Sequence, residues 1–539
     1  MHVCQSRASA FLLPCFIVTL LALVEWEPAW AWIDPLTPQE RQGHRIYHRG
    51  GSGTGSDITA RLADSSIALP ASTIRCTNCH GSRGQGTDEG GLRVPALTWS
   101  SLTSAHTSAL TGTHRAPYDD RSLARAIVEG RDASGHLLHT GMPRFQMSTE
   151  HLASLIAYVQ QLGGESDTDP GVGPTSLALG TALPLTGPLS EIGQDVQTTL
   201  HAYLDHINQQ GGIYGRKLDL IVEDSQGTPQ GTTAATRRLI ETHQVFALVG
   251  SFEPTGSATT NQLIAREGIP ALGPLSISPR VTTPPHMSIF YILPGFEEQA
   301  RTLVDFLVSH TRELVAEQPL RIGLVFSASE LDTDALAGVR AQAAKHNLQI
   351  VVEHRVESQQ NATHTLVEAL MAHRCNAVFY FGNKGMLQAL ASELDQKAYT
   401  PVVLSLLGMV DPMGLQLPRR IAERMIFATS SRLPSTIDFG VLEPLVQTGK
   451  VRHVGFVSLA YTAASMLVEA LKRSGRHITR SELIQSLEHF HEYETGTTPP
   501  LTFGPTRRVG AHETSILSLS QDGTQLVPLS QQRTPGRQP

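Results

Sequence analysis

The sequence predicts a multidomain protein whose larger part is α/β: two lobes, each on a doubly wound parallel sheet, behind a smaller domain of different character. Three observations predict it. From Ser176 onward, short apolar runs alternate with stretches of helical periodicity, the pattern of parallel strands covered by helices on both faces. The alternation restarts near Phe296, so it supplies two lobes rather than one. Ahead of it, Glu165–Pro174 (ESDTDPGVGP) is short, polar and rich in Pro and Gly, the composition of an interdomain linker, and the boundary segment is set at 165–175. A chain of 539 residues has room for several domains. Its 40% hydrophobic and 17% charged residues suit a folded protein. A net charge of −7 argues against a nucleic-acid partner, which calls for a basic face. Five Cys in so long a chain exclude a disulfide-built scaffold.

The N-terminal element, residues 1–31, reads as a secretory signal. Arg7 supplies the positive charge, Phe11–Val24 the apolar run, and Ala29-Trp30-Ala31 a small-x-small cleavage site. The run is shorter than the roughly 20 residues of a comfortable membrane span. An uncleaved anchor is the alternative. Cys15 lies inside the apolar run after Pro14, a poor setting for lipidation. No later stretch is read as long and apolar enough to cross a bilayer. Cleavage would remove Cys4 and Cys15 and leave Cys76, Cys79 and Cys375.

Two of these fall in Cys76-Thr77-Asn78-Cys79-His80, the C-x-x-C-H pattern of covalent c-type haem attachment. Two thiols one helical turn apart can add to two vinyl groups, and the adjacent His then lies beneath the iron. A zinc site would want a second Cys/His pair, and a redox C-x-x-C a βαβ context. Neither surrounds this motif. The run Gly81-Ser82-Arg83-Gly84-Gln85-Gly86 lets backbone approach a ring closely. Farther on, Gly141-Met142-Pro143-Arg144-Phe145-Gln146-Met147 precedes Thr149–Leu162, where Leu152, Leu155, Ile156, Tyr158 and Val159 share a helical face and Ser148 or Thr149 is the cap.

Residues 35–164 resemble a class I cytochrome c domain: a G-x-x-x-Y element (Gly43–Tyr47) near the end of a first helix, C-x-x-C-H-G, then M-P-x-F before a last helix. The resemblance implies an all-α domain with one covalent haem c. Cys76 and Cys79 map to the thioether cysteines, His80 to the proximal iron ligand and Met142 to the distal one. His/Met ligation is the electron-transfer pattern, because the thioether favours Fe(II). A core methionine is the alternative for Met142, and His136, His139 and Met147 are rivals for the sixth position. The stretch His48–Arg75 is longer than the family requires; with its Gly/Ser-rich Gly50–Ser56 it reads as a surface loop that covers a haem edge or forms a docking surface.

The elements of the larger part follow in order. Strands are expected at Ser176–Leu183, Lys217–Glu223, Val245–Val249 and Ile269–Leu272, with helices at Ile192–Asn208, Pro229–Thr242 and Gly256–Glu267. The second series has strands at Arg321–Phe326, Gln349–His354, Ala377–Phe381 and Pro401–Leu406. Its helices are Glu297–Ser309, Thr333–His346, Ala362–Arg374 and Met386–Gln396. Strand-like runs Leu501–Phe503, Ser515–Leu519 and Gln525–Pro528 close a domain set at 176–530, before a polar tail at 531–539 expected to be disordered.

The order Pro184-Leu185-Thr186-Gly187, Ile207-Asn208…Gly211-Gly212-Ile213-Tyr214-Gly215, Glu223-Asp224, Val249-Gly250-Ser251 and Glu267-Gly268-Ile269-Pro270 resembles the type I periplasmic binding proteins of the leucine/isoleucine/valine-binding group, the substrate-binding components of ABC importers. The resemblance implies a cleft that closes on a small molecule by hinge motion, at strand C-terminal edges. Thr186, Ser251, Thr255, Ser276 and Ser278 are the candidate ligand contacts, with ordinary turn or cap roles as the alternative. The chain departs from amino-acid binders at Pro254 and Ile277, where a hydroxyl is expected, and at Leu331 and Lys384, where ring residues are common.

Cys375 reads as a buried, inert thiol. The chain has no G-x-x-x-x-G-K-[ST], H-E-x-x-H or G-x-S-x-G, so it is not expected to be an ATPase or a hydrolase of those types. The expectation is a non-enzymatic, periplasmic electron carrier. Its haem exchanges single electrons with a dehydrogenase or cytochrome, and its lobes sense a metabolite or dock that partner. The alternative is the solute receptor of an ABC permease with an accessory haem domain. A haem enzyme is disfavoured by Met142, which would leave the iron no open position.

Overall fold

A Thr37–Glu40 capping box and a proline in the first turn start helix α1 (Pro38–Arg49). The helix stops at Gly50, whose φ of 70° and lack of a Cβ let the Ala71 carbonyl close over it. Then come β1 (Thr59–Arg61), β2 (Leu69–Pro70), the short helix α2 (Cys76–His80), hairpin β3 (Thr87–Glu89) with β4 (Leu92–Val94), α3 (Trp99–Leu102), hairpin β5 (His106–Thr107) with β6 (His114–Arg115), α4 (Asp120–Glu129), β7 (Arg144–Gln146) and α5 (Thr149–Gln161). The computed structural model describes residues 36–533 apart from 52–57, 63–66, 90–91, 108–113, 165–166, 254–255, 277–278, 280, 283–284, 316–318, 328–329, 357–361, 411–414, 434–435 and 521–524. The expected signal segment with Cys4 and Cys15, the candidates Thr255 and Ser278, and the tail from 534 lie outside the described residues.

α1 crosses α5 at Gly43, where a Cβ would fall 2.0 Å from the Ser154 carbonyl oxygen. The helices therefore pack backbone to backbone, and the fully buried Tyr47 and Tyr158 rings meet beside the crossing at 5.6 Å. Leu36, Ile46, Leu102, Leu123, Ile127, Phe145, Leu155 and Val159 complete this core. The stretch His48–Arg75 corrects the expectation of a surface loop. Its Gly/Ser-rich centre, 52–57, is not described, but β1 pairs with β2 and with β7, and Ile58, Ala60 and Ala71 are buried in the core. Strands of two and three residues are too short to show periodicity in sequence.

The larger part opens with β8 (Ser176–Leu183), α6 (Ser190–Gln209), β9 (Lys217–Asp224), α7 (Pro229–Glu241), β10 (Ala247–Val249), α8 (Ala258–Glu267), β11 (Ala271–Leu272) and β12 (Ile289–Phe290). These strands form one parallel sheet in the order β12-β11-β10-β8-β9. The second lobe contains α9 (Phe296–Ser309), α10 (Thr311–Leu314), β13 (Arg321–Phe326), α11 (Glu330–Lys345), β14 (Gln349–Arg355), α12 (Ala362–Ala372), β15 (Ala377–Phe381), α13 (Lys384–Gln396), β16 (Val402–Leu406), α14 (Arg419–Ala422) and β17 (Met425–Thr429). After α15 (Glu443–Gln447), the chain returns through α16 (Val454–Ser474) and α17 (Arg480–Glu488). It ends on β18 (Glu513–Leu519) and β19 (Leu526–Arg533). The second sheet runs β14-β13-β15-β16-β17-β18-β19, with the last two strands antiparallel.

The path differs from two successive series in one respect. α16 and α17 pack into the core of the first lobe, beside β8, β10 and α6. α16 is also, among the described residues, a helix long and apolar enough to cross a membrane, against the sequence expectation of none. It is instead a core helix, its Ala460, Ala463, Ala464, Met466, Leu467 and Leu471 buried in that lobe. Within the expected tail, Gln531, Gln532 and Arg533 are instead strand residues that pair with Ser515, Thr514 and Glu513.

Candidate functional site

The C-x-x-C-H residues occupy the short helix α2, which puts both thiols and the imidazole on successive turns of backbone. Neither Cys76 nor Cys79 is in a disulfide. His80 is buried, and its Nδ1 lies 2.9 Å from the Pro95 carbonyl oxygen. A carbonyl can only accept, so Nδ1 carries the hydrogen and Nε2 the lone pair. Burial pushes the imidazole below its ordinary pKa, opposed by the bond to Pro95, so the ring is neutral near pH 7. Tyr47 Oη donates to the Gly81 carbonyl at 2.8 Å and ties α1 to the residue after His80. Gly86 N donates to the His80 carbonyl at 2.8 Å, and Gly84 and Gly86 both have positive φ, so the glycine-rich turn folds back under the motif.

Met142 sits in a turn whose amide donates to the His139 carbonyl at 2.9 Å. The Arg144 guanidinium donates to the Met142 carbonyl and lies in the space that a side chain at Gly130 would fill. Cys76, Leu97, Trp99, Leu138, Met142, Met147 and Leu152 are partly buried against the same core cluster. Of the rivals to Met142, His136 is engaged by Asp132 (Nδ1 to Oδ2 3.1 Å), and His139 Nδ1 accepts from the Gly141 amide at 3.1 Å. The donor set fits a covalently held haem: two unpaired thiols, a neutral imidazole oriented by a backbone carbonyl, and a thioether in the same apolar cluster. Pro95 and Arg144 are the positioning residues that sequence reasoning did not single out. Pro95 lies outside both motifs and Arg144 is the variable position of M-P-x-F, and their partners are visible only in three dimensions.

The described cleft candidates Thr186, Ser251 and Ser276 follow β8, β10 and β11, which are neighbours in the first sheet. Thr186 Oγ1 donates to Asp224 Oδ2 at 2.7 Å. Burial raises the Asp224 carboxyl, but Thr186 and the amides of Gln226 and Leu185 outweigh it and hold it below the usual range. Ser251 Oγ accepts from the Ala182 amide at 3.2 Å and lines a small cavity with Thr232, Thr236, Glu253, Thr260 and Pro274. Ser276 N donates to the Pro274 carbonyl at 2.9 Å. Glu253, absent from the sequence candidates, is buried in the loop after β10, and its Oε1 accepts from the Ser257 amide at 2.8 Å. Thr186 and Ser251 thus hold their own loops together, the turn role weighed against ligand contact.

The segment between the two domains is not a solvated tether. Asp167 and Asp169 are buried. Asp167 accepts from Tyr158 Oη at 2.6 Å and from Gly163 N at 2.8 Å. Asp169 accepts from the Arg480 amide at 2.6 Å and faces His44 Nε2 at 3.5 Å. Arg480 in turn donates to the carbonyls of Phe246 and Val245 at the start of β10. Arg49 donates to the Arg266 carbonyl at 2.9 Å, a second tie across the same joint.

A profile of the periplasmic binding protein family matches residues 176–524, and a cytochrome c profile matches residues 71–163. The Leu/Ile/Val-binding protein homolog 8 of Brucella abortus is 23% identical over 227 residues, which are 42% of this chain and 56% of that protein. The match thus spans little more than half of that relative's length. The Leu/Ile/Val-binding protein BraC3 of Rhizobium johnstonii is 18% identical over 330 residues, 61% of this chain and 88% of BraC3. Among solved structures, the fatty acid ABC transporter substrate-binding protein from Thermomonospora curvata superposes with a TM-score of 0.50 at 20% identity, over 67% of this chain and 93% of that one. At that identity the likeness concerns the fold. The chain therefore belongs to the periplasmic binding protein family and carries a cytochrome c domain ahead of its two lobes.

Proposed function

We propose that the protein is a periplasmic electron carrier whose lobes sense a small metabolite or dock its redox partner. The observation that carries the reading is His80: buried, neutral and oriented by the Pro95 carbonyl, with two unpaired thiols on the same short helix. Cys76 and Cys79 would hold one haem c through their thiols, and His80 Nε2 and the Met142 sulfur would be the iron's protein donors. When bound, the haem supplies one-electron Fe(III)/Fe(II) chemistry. The chain's own residues fix the potential: Pro95 keeps the imidazole in the ligating tautomer, and Arg144 holds the backbone of the Met142 turn. With His80 and Met142 both committed to the iron, a substrate would find no donor position there, and the reading is electron transfer rather than catalysis.

The families of both domains are typically exported, and a periplasmic location agrees with the apolar segment Phe11–Val24 and its Ala29-Trp30-Ala31 site. The redox partner is a periplasmic dehydrogenase or cytochrome. The ligand of the lobes is of the amino-acid class by similarity to the Leu/Ile/Val-binding relatives, with Thr186, Ser251, Thr255, Ser276 and Ser278 as candidate contacts. The same relatives favour a second reading, in which the lobes deliver a solute to an ABC permease and the haem domain is accessory.

The test is a thermal-shift screen of amino acids and related metabolites, followed by redox titration with and without any hit. A hit that changes the midpoint potential supports the sensing role. A hit that leaves it unchanged, together with permease-dependent uptake, favours the second reading and sinks the first.

A further inference from the structure

The joint between the cytochrome c domain and the lobes holds a cluster apart from the C-x-x-C-H motif and Met142. His44 and His48 lie one helical turn apart on the same face of α1, with rings stacked 4.2 Å apart at 29°. Asp167 comes from the segment after α5. One ring nitrogen of each histidine and a carboxylate oxygen of Asp167 all lie within 4.8 Å of one another. The Asp169 carboxylate is 3.5 Å from His44 Nε2.

The groups around the cluster orient it as outer partners orient metal ligands. Tyr158 Oη gives its hydrogen to Asp167 Oδ1, so the 2.9 Å contact with His48 Nε2 must have the imidazole as donor. That leaves the His48 lone pair on Nδ1. The Gly163 amide holds the other Asp167 oxygen, and the Arg480 amide holds Asp169 Oδ2. Two imidazoles and two carboxylates form a borderline, zinc-type donor set, and the two carboxylates balance a divalent charge. Metal–ligand bonds of about 2.0–2.2 Å place tetrahedral donors roughly 3.4 Å apart, so His44, His48 and Asp167 close by side-chain shifts of about an ångström, while Asp169 is placed beside them by its contact with His44.

We propose that His44, His48 and Asp167, with Asp169 as the fourth donor, bind one divalent transition-metal ion of the zinc class at this joint. The ion ties α1 of the haem domain to the segment that enters β8. It is a structural clamp on the relative placement of the haem and the lobes, distinct from the haem iron.

The experiment uses the haem-loaded, untagged protein, stripped with a chelator and titrated with Zn²⁺ by calorimetry, with metal content measured by elemental analysis. The result expected is one zinc per chain in addition to the haem iron. Tyr158→Phe should weaken binding by about 10–100-fold, and His44→Ala by more. His364→Ala, which removes an exposed histidine beside Glu368 and Glu393, should leave it unchanged. An unaltered haem spectrum in each variant reports an intact fold, and Asp167→Asn replaces His44→Ala if the latter fails that control. Absence of stoichiometric zinc binding, or wild-type affinity in both His44→Ala and Asp167→Asn, overturns the site and leaves a proton-sharing network in its place.

Discussion

The backbone amide of Arg480 donates to the Asp169 carboxylate at 2.6 Å, across 311 positions of sequence. Asp169 belongs to the segment that leaves the haem domain, and Arg480 opens α17 in the first lobe. The Arg480 side chain continues the connection to the carbonyls of Val245 and Phe246. One residue therefore links the interdomain segment to the strand whose C-terminal end carries Ser251 and Glu253.

Arg480→Ala leaves two buried carbonyls without that donor, at about 1–3 kcal/mol for each group left unsatisfied. The expected outcome is a lower melting temperature and separate transitions, with haem absorbance and far-ultraviolet dichroism no longer coinciding. Coincident transitions at the wild-type temperature would mean that Arg480 does not hold the joint.

Gly43→Ala puts a methyl group into the α1–α5 crossing, where the Ser154 carbonyl and the Tyr158 Cβ already stand 2.0 and 2.6 Å from the Cβ position. Overpacking of this kind costs about 1–3 kcal/mol. Chemical denaturation followed at the haem should show the loss, while the first lobe, melted as a fragment from 176 if it folds, is indifferent to position 43.

Asp195 in α6 accepts from the amides of Arg452 and His453 and from the His453 ring, all on Oδ2 at 2.8–2.9 Å. Burial raises its carboxyl, but these bonds outweigh burial and hold the pKa below the usual carboxylate range. A depressed folded pKa contributes stability that is present above the unfolded value of about 3.9 and is lost as pH falls through the folded value. Asp195→Asn should therefore narrow the stability difference between pH 7 and pH 3 relative to wild type, in denaturant titrations at the two pH values.

The cysteines give a counting experiment. Cys375 is buried between α12 and β15, and burial pushes its thiol up to about 11. The folded, haem-loaded protein should not react with a thiol reagent at pH 8, and the denatured mature protein should show one thiol. Three thiols after denaturation would mean that Cys76 and Cys79 carry no thioether bonds.

Much of this architecture is legible in the residues. Ser176–Leu183, Arg321–Phe326 and Ala377–Phe381 are strands at the bounds their apolar runs suggest, because a strand buried on both faces is a continuous hydrophobic stretch between turn signals. The C-x-x-C-H motif is local in sequence and appears as one short helix. What stays hidden depends on distant partners. α16 is apolar around most of its circumference, so it shows no amphipathic face to identify its lobe. Asp167 and Asp169 have the composition of a solvated linker, and their burial follows from Tyr158, His44 and Arg480, which no local pattern connects to them. Pro95 joins the site only because a β-hairpin brings it back over His80.

The proposed electron carrier requires both His80 and Met142 to hold the haem iron. The most direct measurement is the visible spectrum of the oxidised protein, with carbon monoxide added after reduction, for wild type and Met142→Ala. Ligation by both residues gives a sulfur-to-iron band at the red end of the wild-type spectrum, refusal of carbon monoxide by the native protein, and loss of the band with gain of carbon monoxide binding in Met142→Ala. Ready carbon monoxide binding by the native iron, or a band that survives the substitution, would contradict it.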